Sequence, residues 1–286
     1  MTAFFQLGAH LPLWLLRRLG SLLGHAIWWL SPAYRRMFRA NWALAMAGDQ
    51  ASPSQRSRQH RAIGQAGQMV LELPKIWCDD QAWQAMALVG LEALTAAQAR
   101  GRGVIVLTPH LGAFELAPRV LGRHHPMTVL YRPARQPAVE RLLQRLRPTA
   151  QVATAPANAA GVRQLLRALR SGQVIGMLPD QVPSKGDGLW APFFGRPAYT
   201  MVLPLRLAQT TGASLIWALA QRVPGGWQLS LEDWRPEGLD QPDTPLQTLV
   251  EALNRKTEEV ILRAPDQYLW AYNRYKNPQA GGAPTA

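Results

Sequence analysis

The segment Gly103-Val-Ile-Val-Leu-Thr108 constrains the fold most. A compact β-branched run bounded by Gly and Pro marks a strand buried on both faces, and such a strand needs helices above and below it. The sequence that follows supplies them. A helix is expected from Gly112, a second strand from Met127 to Tyr131, helices from Pro137 to Leu146 and from Gly161 to Arg170, and a third strand from Val174 to Leu178. After a helix from Leu203 to Thr211, strands from Ser214 to Arg222 and from Trp227 to Trp234 are joined through Pro224-Gly225-Gly226, a hairpin signal. Leu246, Leu249, Val250, Leu253, Val260 and Ile261 supply one face of a closing amphipathic helix from Thr244 to Arg263. Strands alternating with helices, with one hairpin among them, predict an α/β fold: a mixed, mainly parallel sheet covered by helices.

The first part of the chain has a different texture. Residues 1–93 carry helical patterns, including Ser54 to Leu73, and few strand signals, so they are expected to form a helical N-terminal part that associates with membranes. Residues 94–276 then form the α/β core, and 277–286, rich in Pro, Gly and Ala, form a disordered tail. From Leu11 to Leu30 the chain is apolar but contains Arg17 and Arg18, and central arginines cost roughly 2.5 to 3.5 kcal/mol each on insertion. Spanning is disfavoured, which leaves peripheral binding ahead of a single N-terminal anchor. On helical spacing Leu15, Leu16, Leu19, Leu22, Leu23, Ala26, Ile27 and Leu30 share one stripe, with Arg18, Ser21 and His25 opposite. Two readings stand: a helix lying in a lipid interface, or one packed on the rest of the domain. Arg35, Arg36 and Arg39 follow, where they would attract anionic head groups or form a solvated helix face.

Charge narrows the partners. A formal net charge of +13 attracts anionic lipid, nucleic acid or an acidic protein. The basic residues are spread among apolar, Trp-rich stretches with no nucleic-acid reader motif, so no nucleic-acid partner is expected. Cys78 is the only cysteine, which excludes an internal disulfide and a Cys-based zinc cluster. His124 and His125 match no zinc spacing, and no metal site is expected.

Chemistry concentrates after the first strand, where Thr108-Pro-His-Leu-Gly-Ala-Phe-Glu115 places His110 and Glu115 at a strand end. Residues five apart stand about 140° apart on an ideal helix. His110 must therefore precede the helix, at a turn that Pro109 and Gly112 permit, if Glu115 is to reach its imidazole. Such a pair would deprotonate an alcohol or amine; taken alone it reads equally as a core histidine with a nearby glutamate. No Gly-x-Ser-x-Gly elbow is present, so direct transfer without an acyl-enzyme is the simpler scheme.

Six ordered stretches resemble the lauroyl/myristoyl acyltransferase family of lipid A biosynthesis, within the wider glycerolipid acyltransferase group. They are Val89 to Leu94, Gly103 to Glu115, Leu130 to Pro133, Gly176 to Gln181, Pro192 to Ala198 and Trp270 to Lys276. The resemblance implies transfer of a fatty acyl chain from an acidic acyl carrier protein, or from acyl-CoA, to a hydroxyl of an anionic lipid A precursor. It places the enzyme on the cytoplasmic face of the bacterial inner membrane, with no cofactor. It assigns the base and its acidic partner to His110 and Glu115. It also implies that Arg132, Asp180, Gln181, Lys185, Arg196, Arg274 and Lys276 bind substrate, with Phe193 and Phe194 lining an acyl channel or belonging to the core. Asp180 has a structural alternative, capping a turn against backbone amides. A lysophospholipid or amino-acid lipid is the alternative acceptor, and a non-catalytic protein binding anionic membrane is the alternative of another class.

Overall fold

The structure, a computed structural model, describes residues 2–47, 53–84, 86–134 and 136–278. The expected disordered tail lies, from Gln279 onward, outside the described residues. Helices α1 (Thr2–Ala9), α2 (Leu13–Leu30), α3 (Pro32–Ala45), α4 (Pro53–Leu71) and α5 (Leu73–Cys78) lead to an edge strand, β1 (Ala87–Val89). The segment read as helical therefore also contributes to the sheet. Then come α6 (Leu91–Ala99), β2 (Val104–Leu107), α7 (Leu116–Leu121), β3 (Met127–Tyr131), α8 (Pro137–Leu146), β4 (Val152–Pro156), α9 (Ala159–Arg170) and β5 (Val174–Met177). A hairpin of β6 (Gly188–Phe193) and β7 (Arg196–Met201), α10 (Leu203–Thr211), β8 (Ser214–Val223), β9 (Gly226–Trp234) and α11 (Leu246–Arg263) complete the order.

Seven strands form one sheet in the order β1-β9-β8-β2-β5-β3-β4. All pairs are parallel except β8 with β9, so the sheet is mixed and mainly parallel, as expected. β2 is hydrogen-bonded on both sides, to β5 and β8, and Val104, Ile105, Val106 and Leu107 are all buried. Alternation along β2 sends Ile105 and Leu107 into a core shared with α9, α10 and α11, and Val104 and Val106 into one shared with α5, α6 and α7. The sequence reading leaves 152–156 and 188–201 unassigned. Val-Ala-Thr-Ala-Pro is too short and too weakly apolar to announce β4, and its place at the sheet edge depends on pairing with β3.

Helix α2 shows how the N-terminal part attaches. Its Gly20 and Gly24 lie against Gly64 and Gly67 of α4, where a Cβ on Gly20 or Gly67 would collide with the facing backbone. Absent side chains let the helices approach closely through one narrow face. The opposite face is left bare: Trp14, Leu22, Trp29 and Leu30 are 59%, 68%, 73% and 83% exposed. The reading of a helix packed on the domain thus holds for one face. The helix packs on the domain through glycines, and much of the apolar stripe, including Leu19, Leu22, Ile27 and Leu30, faces solvent. Among the described residues no helix is long and apolar enough to cross a membrane.

The two arginines within α2 diverge. Arg18 lies over the exposed Trp14 ring, whereas Arg17 turns inward to the buried Glu72 carboxylate at 2.6 Å and to the carbonyls of Val223 and Gly226. Glu72 also accepts from the buried Arg222 at 2.8 Å and from the Trp227 indole at 3.3 Å. One carboxylate thus ties α2, the end of α4 and the β8–β9 hairpin together. Breaking a buried pair leaves an uncompensated charge and costs about 3 to 5 kcal/mol, whereas replacing both partners by apolar groups is far milder. Glu72→Gln is therefore expected to lower the thermal midpoint by several degrees, and Arg17→Met/Glu72→Leu/Arg222→Met, which removes all three charges together, to recover much of that loss. Thermal unfolding followed by circular dichroism measures both.

Candidate active site

His110 stands three residues past the end of β2, and Asp180 three residues past the end of β5. Because Leu107 pairs with Met177 in the parallel ladder, an equal advance brings 110 opposite 180. The Asp180 carboxylate meets His110 twice, accepting from the ring Nδ1 at 2.9 Å and from the backbone N–H at 3.0 Å. The expected contact between the imidazole and Glu115 is thus made by Asp180. Glu115, at the start of α7, is instead paired with the Arg147 guanidinium through both carboxylate oxygens, one at 3.2 Å and the other closer. Glu115 still lines the same cavity as His110.

The loop that carries His110 is held from the other side. Gly112 has φ +61, and a Cβ there would collide with the Ala220 carbonyl of β8, so both conformation and space demand glycine. Its N–H donates to the Gln267 carbonyl, and its carbonyl accepts from Arg222, the arginine bound to Glu72. The His110 carbonyl accepts from the Leu269 N–H, and Leu111 bridges Tyr268. The turn required by the spacing argument is present and is fixed by β8 and the segment after α11.

The tautomer follows from the contacts. With Nδ1–H donating to Asp180, a neutral imidazole has its lone pair on Nε2, and Gln181 places its amide nitrogen 3.0 Å from that atom as the donor. Burial alone would raise the Asp180 carboxyl. The opposing charge of His110 and hydrogen bonds from its ring and backbone outweigh burial and hold the carboxyl below its usual value. Tyr268, fully buried behind the pair, has its phenol pushed well above the usual value by burial first and then by the Asp180 charge.

Nε2 faces a cavity of about 740 Å³. Its inner wall is apolar, with Val106, Ala117, Pro118, Met127, Val129 and Val152, while Arg132, Arg147, Arg163 and Arg206 also line it. Such an enclosure suits an extended apolar ligand with an anionic end. Among the described residues, no group of three or more His, Cys, Asp or Glu side chains is placed to hold a metal ion.

The remaining candidates divide. Gln181 and Arg132 line the cavity, with the Arg132 Nη2 3.4 Å from the Ser184 hydroxyl. Lys185 is exposed beside this rim but outside the cavity wall. Arg196 lies over the Tyr275 ring on the β6–β7 hairpin, and Lys276 over the Tyr272 ring; neither lines the cavity. Arg274 is buried and donates to the Tyr199 carbonyl and the Thr200 hydroxyl, so its cation braces the hairpin and has no access to the cavity. Phe193 belongs to the core around Trp270, with Phe194 packed against it, and they form no channel wall.

No sequence signal marks Arg147, Arg163 and Arg206 as cavity residues, since an arginine on or just after an amphipathic helix reads as solvated surface. The Asp180 partnership had a signal: Leu107-Thr-Pro-His110 and Met177-Leu-Pro-Asp180 both end a strand with one residue, a proline and a polar group.

Residues 1–277 match the family described as bacterial lipid A biosynthesis acyltransferase. The chain is 30% identical over 208 residues to the lipid A biosynthesis palmitoleoyltransferase of Escherichia coli strain K12, covering 72% of this chain and 66% of that protein. It is 27% identical over 218 residues to the lipid A biosynthesis lauroyltransferase of the same organism, covering 75% and 70%. A lipid A biosynthesis acyltransferase of Haemophilus influenzae is 26% identical over 187 residues, covering 64% and 56%. The chain thus spans slightly less than two thirds of the palmitoleoyltransferase. With the family match running from its first residue through the whole sheet and both strand ends that build the His110–Asp180 pair, the chain belongs to the bacterial lipid A biosynthesis acyltransferase family.

Proposed function

We propose that the protein is a membrane-associated acyltransferase that moves a fatty acyl chain from the thioester of an acidic acyl carrier protein to a hydroxyl of a lipid A precursor. It works on the cytoplasmic face of the inner membrane. The observation that carries this reading is His110, with Nδ1 held by Asp180 and Nε2 directed into an apolar cavity. The acceptor hydroxyl displaces the Gln181 amide from Nε2 and gives its proton to that nitrogen as its oxygen attacks the thioester carbonyl. Asp180 stabilises the imidazolium that forms. Collapse of the tetrahedral intermediate breaks the carbon–sulfur bond, and the imidazolium returns the proton to the departing thiolate. No protein nucleophile and no cofactor enter this scheme. Glu115 acts with Arg147 in the cavity wall, where the guanidinium is available to a phosphate or to the developing oxyanion.

Membrane docking is assigned to the bare face of α2. Its exposed Trp14, Leu22, Trp29 and Leu30 have Arg18 among them and Arg35, Arg36 and Arg39 following in α3, a composition suited to an anionic interface. The net charge of +13 would steer both the acidic carrier protein and the phosphorylated acceptor to this protein.

Purified protein supplied with acyl carrier protein thioesters and a panel of lipid A precursors, lysophospholipids and amino-acid lipids tests donor and acceptor together. Transfer only to a lysophospholipid or amino-acid lipid would replace the acceptor named above, and no transfer to any of them would overturn the enzymatic reading. His110→Ala is expected to abolish transfer, and Asp180→Asn to lower kcat by about 10²- to 10⁴-fold, since the wrong tautomer then faces the substrate. Glu115→Gln also loses activity, but that loss is shared with Arg147→Met in a double-mutant cycle.

Asp180 has a second, acid-side signature. Its lowered carboxyl value means that the unfolded chain takes up the proton first as pH falls. The stability it contributes is fully present above the ordinary aspartate range and is lost as pH drops through the lowered value. Asp180→Asn is expected to show a shallower acid limb in a denaturation-against-pH profile. For docking, Trp29→Ser/Leu30→Ser is expected to reduce co-sedimentation with vesicles containing phosphatidylglycerol, and wild-type binding to fall with salt.

A further inference from the structure

Strand register defines the floor of the cavity as well as its catalytic end. Side chains at alternate positions share a sheet face, and pairing aligns them in rows. Val106, Gly176, Val129 and Thr154 form one row on the face that carries the cavity, and all four line it. Two residues further from His110, the next row on that face is Val104, Val174, Met127 and Val152. Only Met127 and Val152 of this row line the cavity, so the deep end lies over β3 and β4. It is closed there from the helix side, because Gly122, just after α7, lies so close to Val152 that a Cβ would collide with the Val152 Cγ2.

Met127 does not lie flat in its own row. Its Cε reaches up over Gly176, occupying the space that any side chain at 176 would fill. Met127 is buried and is held only by packing, through an unbranched thioether that changes rotamer readily.

We propose that Met127, seated over the missing side chain of Gly176, is the residue that sets the length of acyl chain this protein accepts. The inference rests on the acyltransferase reading of the cavity. Between the row of Gly176 and the row of Met127 lie two residues of strand, about 6.6 Å, which an extended alkyl chain crosses in about five methylenes, since each C–C bond of about 1.5 Å advances the zigzag by only about 1.25 Å. A chain whose end meets the thioether fits; a longer one must displace it.

Two measurements on the full chain test this. The first needs no turnover: free fatty acids of graded length compete with a fluorescent fatty acid for the cavity. For wild type, Kd is expected to fall by about four-fold per added methylene and then to stop improving at a limiting length. Met127→Ala, which vacates the space of three side-chain atoms, moves that limit up by about three carbons, whereas Gly176→Ala, whose new Cβ pushes the thioether into the channel, moves it down. Limits that coincide in all three proteins, each shown to be folded by its thermal transition, would overturn the proposal. The second repeats the series with carrier-protein thioesters. Shifted binding limits with no transfer from any donor would leave Met127 as the length determinant and overturn the acyltransferase reading instead.

Discussion

The central ladder between β2 and β5 governs this molecule. A parallel pair has evenly spaced hydrogen bonds and one allowed register wherever both faces are buried, because a slip by one residue would turn every core side chain to the wrong side. Here that register pairs Leu107 with Met177. Since two residues lead from each strand end to its polar group, the same bonds that hold the core fix the imidazole of His110 against the carboxylate of Asp180. The pairing that builds the sheet also builds the His110–Asp180 pair.

The rest of the architecture supports that juncture from outside. On the β8 side, Arg222 binds the Gly112 carbonyl with one nitrogen and the Glu72 carboxylate with another. Arg17 of α2 shares the same carboxylate, so the helix with the bare apolar face and the loop with His110 are joined through two ion pairs. A buried carboxylate between two guanidiniums is stable only when all its partners are in place. This makes the position of α2 on the domain specific, although the glycine contact beneath it has little side-chain detail to specify it.

The elements of the core were legible because their signals are local. The β3 strand, α8 and α10 fall where hydrophobic periodicity and flanking Pro and Gly place them. The hairpin of β8 and β9 follows from Pro224-Gly225-Gly226, with Gly225 at φ +76. Strands β1 and β4, at the two sheet edges, and the β6–β7 hairpin were not legible. An edge strand is defined by what it pairs with, and three residues such as Ala87–Val89 carry too little pattern to announce it. The candidate site divided in the same way. Strand-end residues such as His110, Asp180 and Gln181 are brought together, whereas Arg274, expected as a ligand for an anionic substrate, is a buried brace for the β6–β7 hairpin.

By itself, the sequence determined the α/β class, the order of its main elements, the turn that must carry His110, and the apolar helix that is too basic at its centre to favour spanning. Each of these rests on interactions between residues close in the chain. Only the tertiary structure decided which carboxylate serves the imidazole, because Asp180 is seventy positions from His110 and Glu115 five, and sequence distance favours the wrong one. It also decided which arginine of the pair in α2 is structural. Arg17 and Arg18 are adjacent and chemically identical, yet one meets Glu72 and the other Trp14. Long-range pairing made those choices, and no local pattern encodes it.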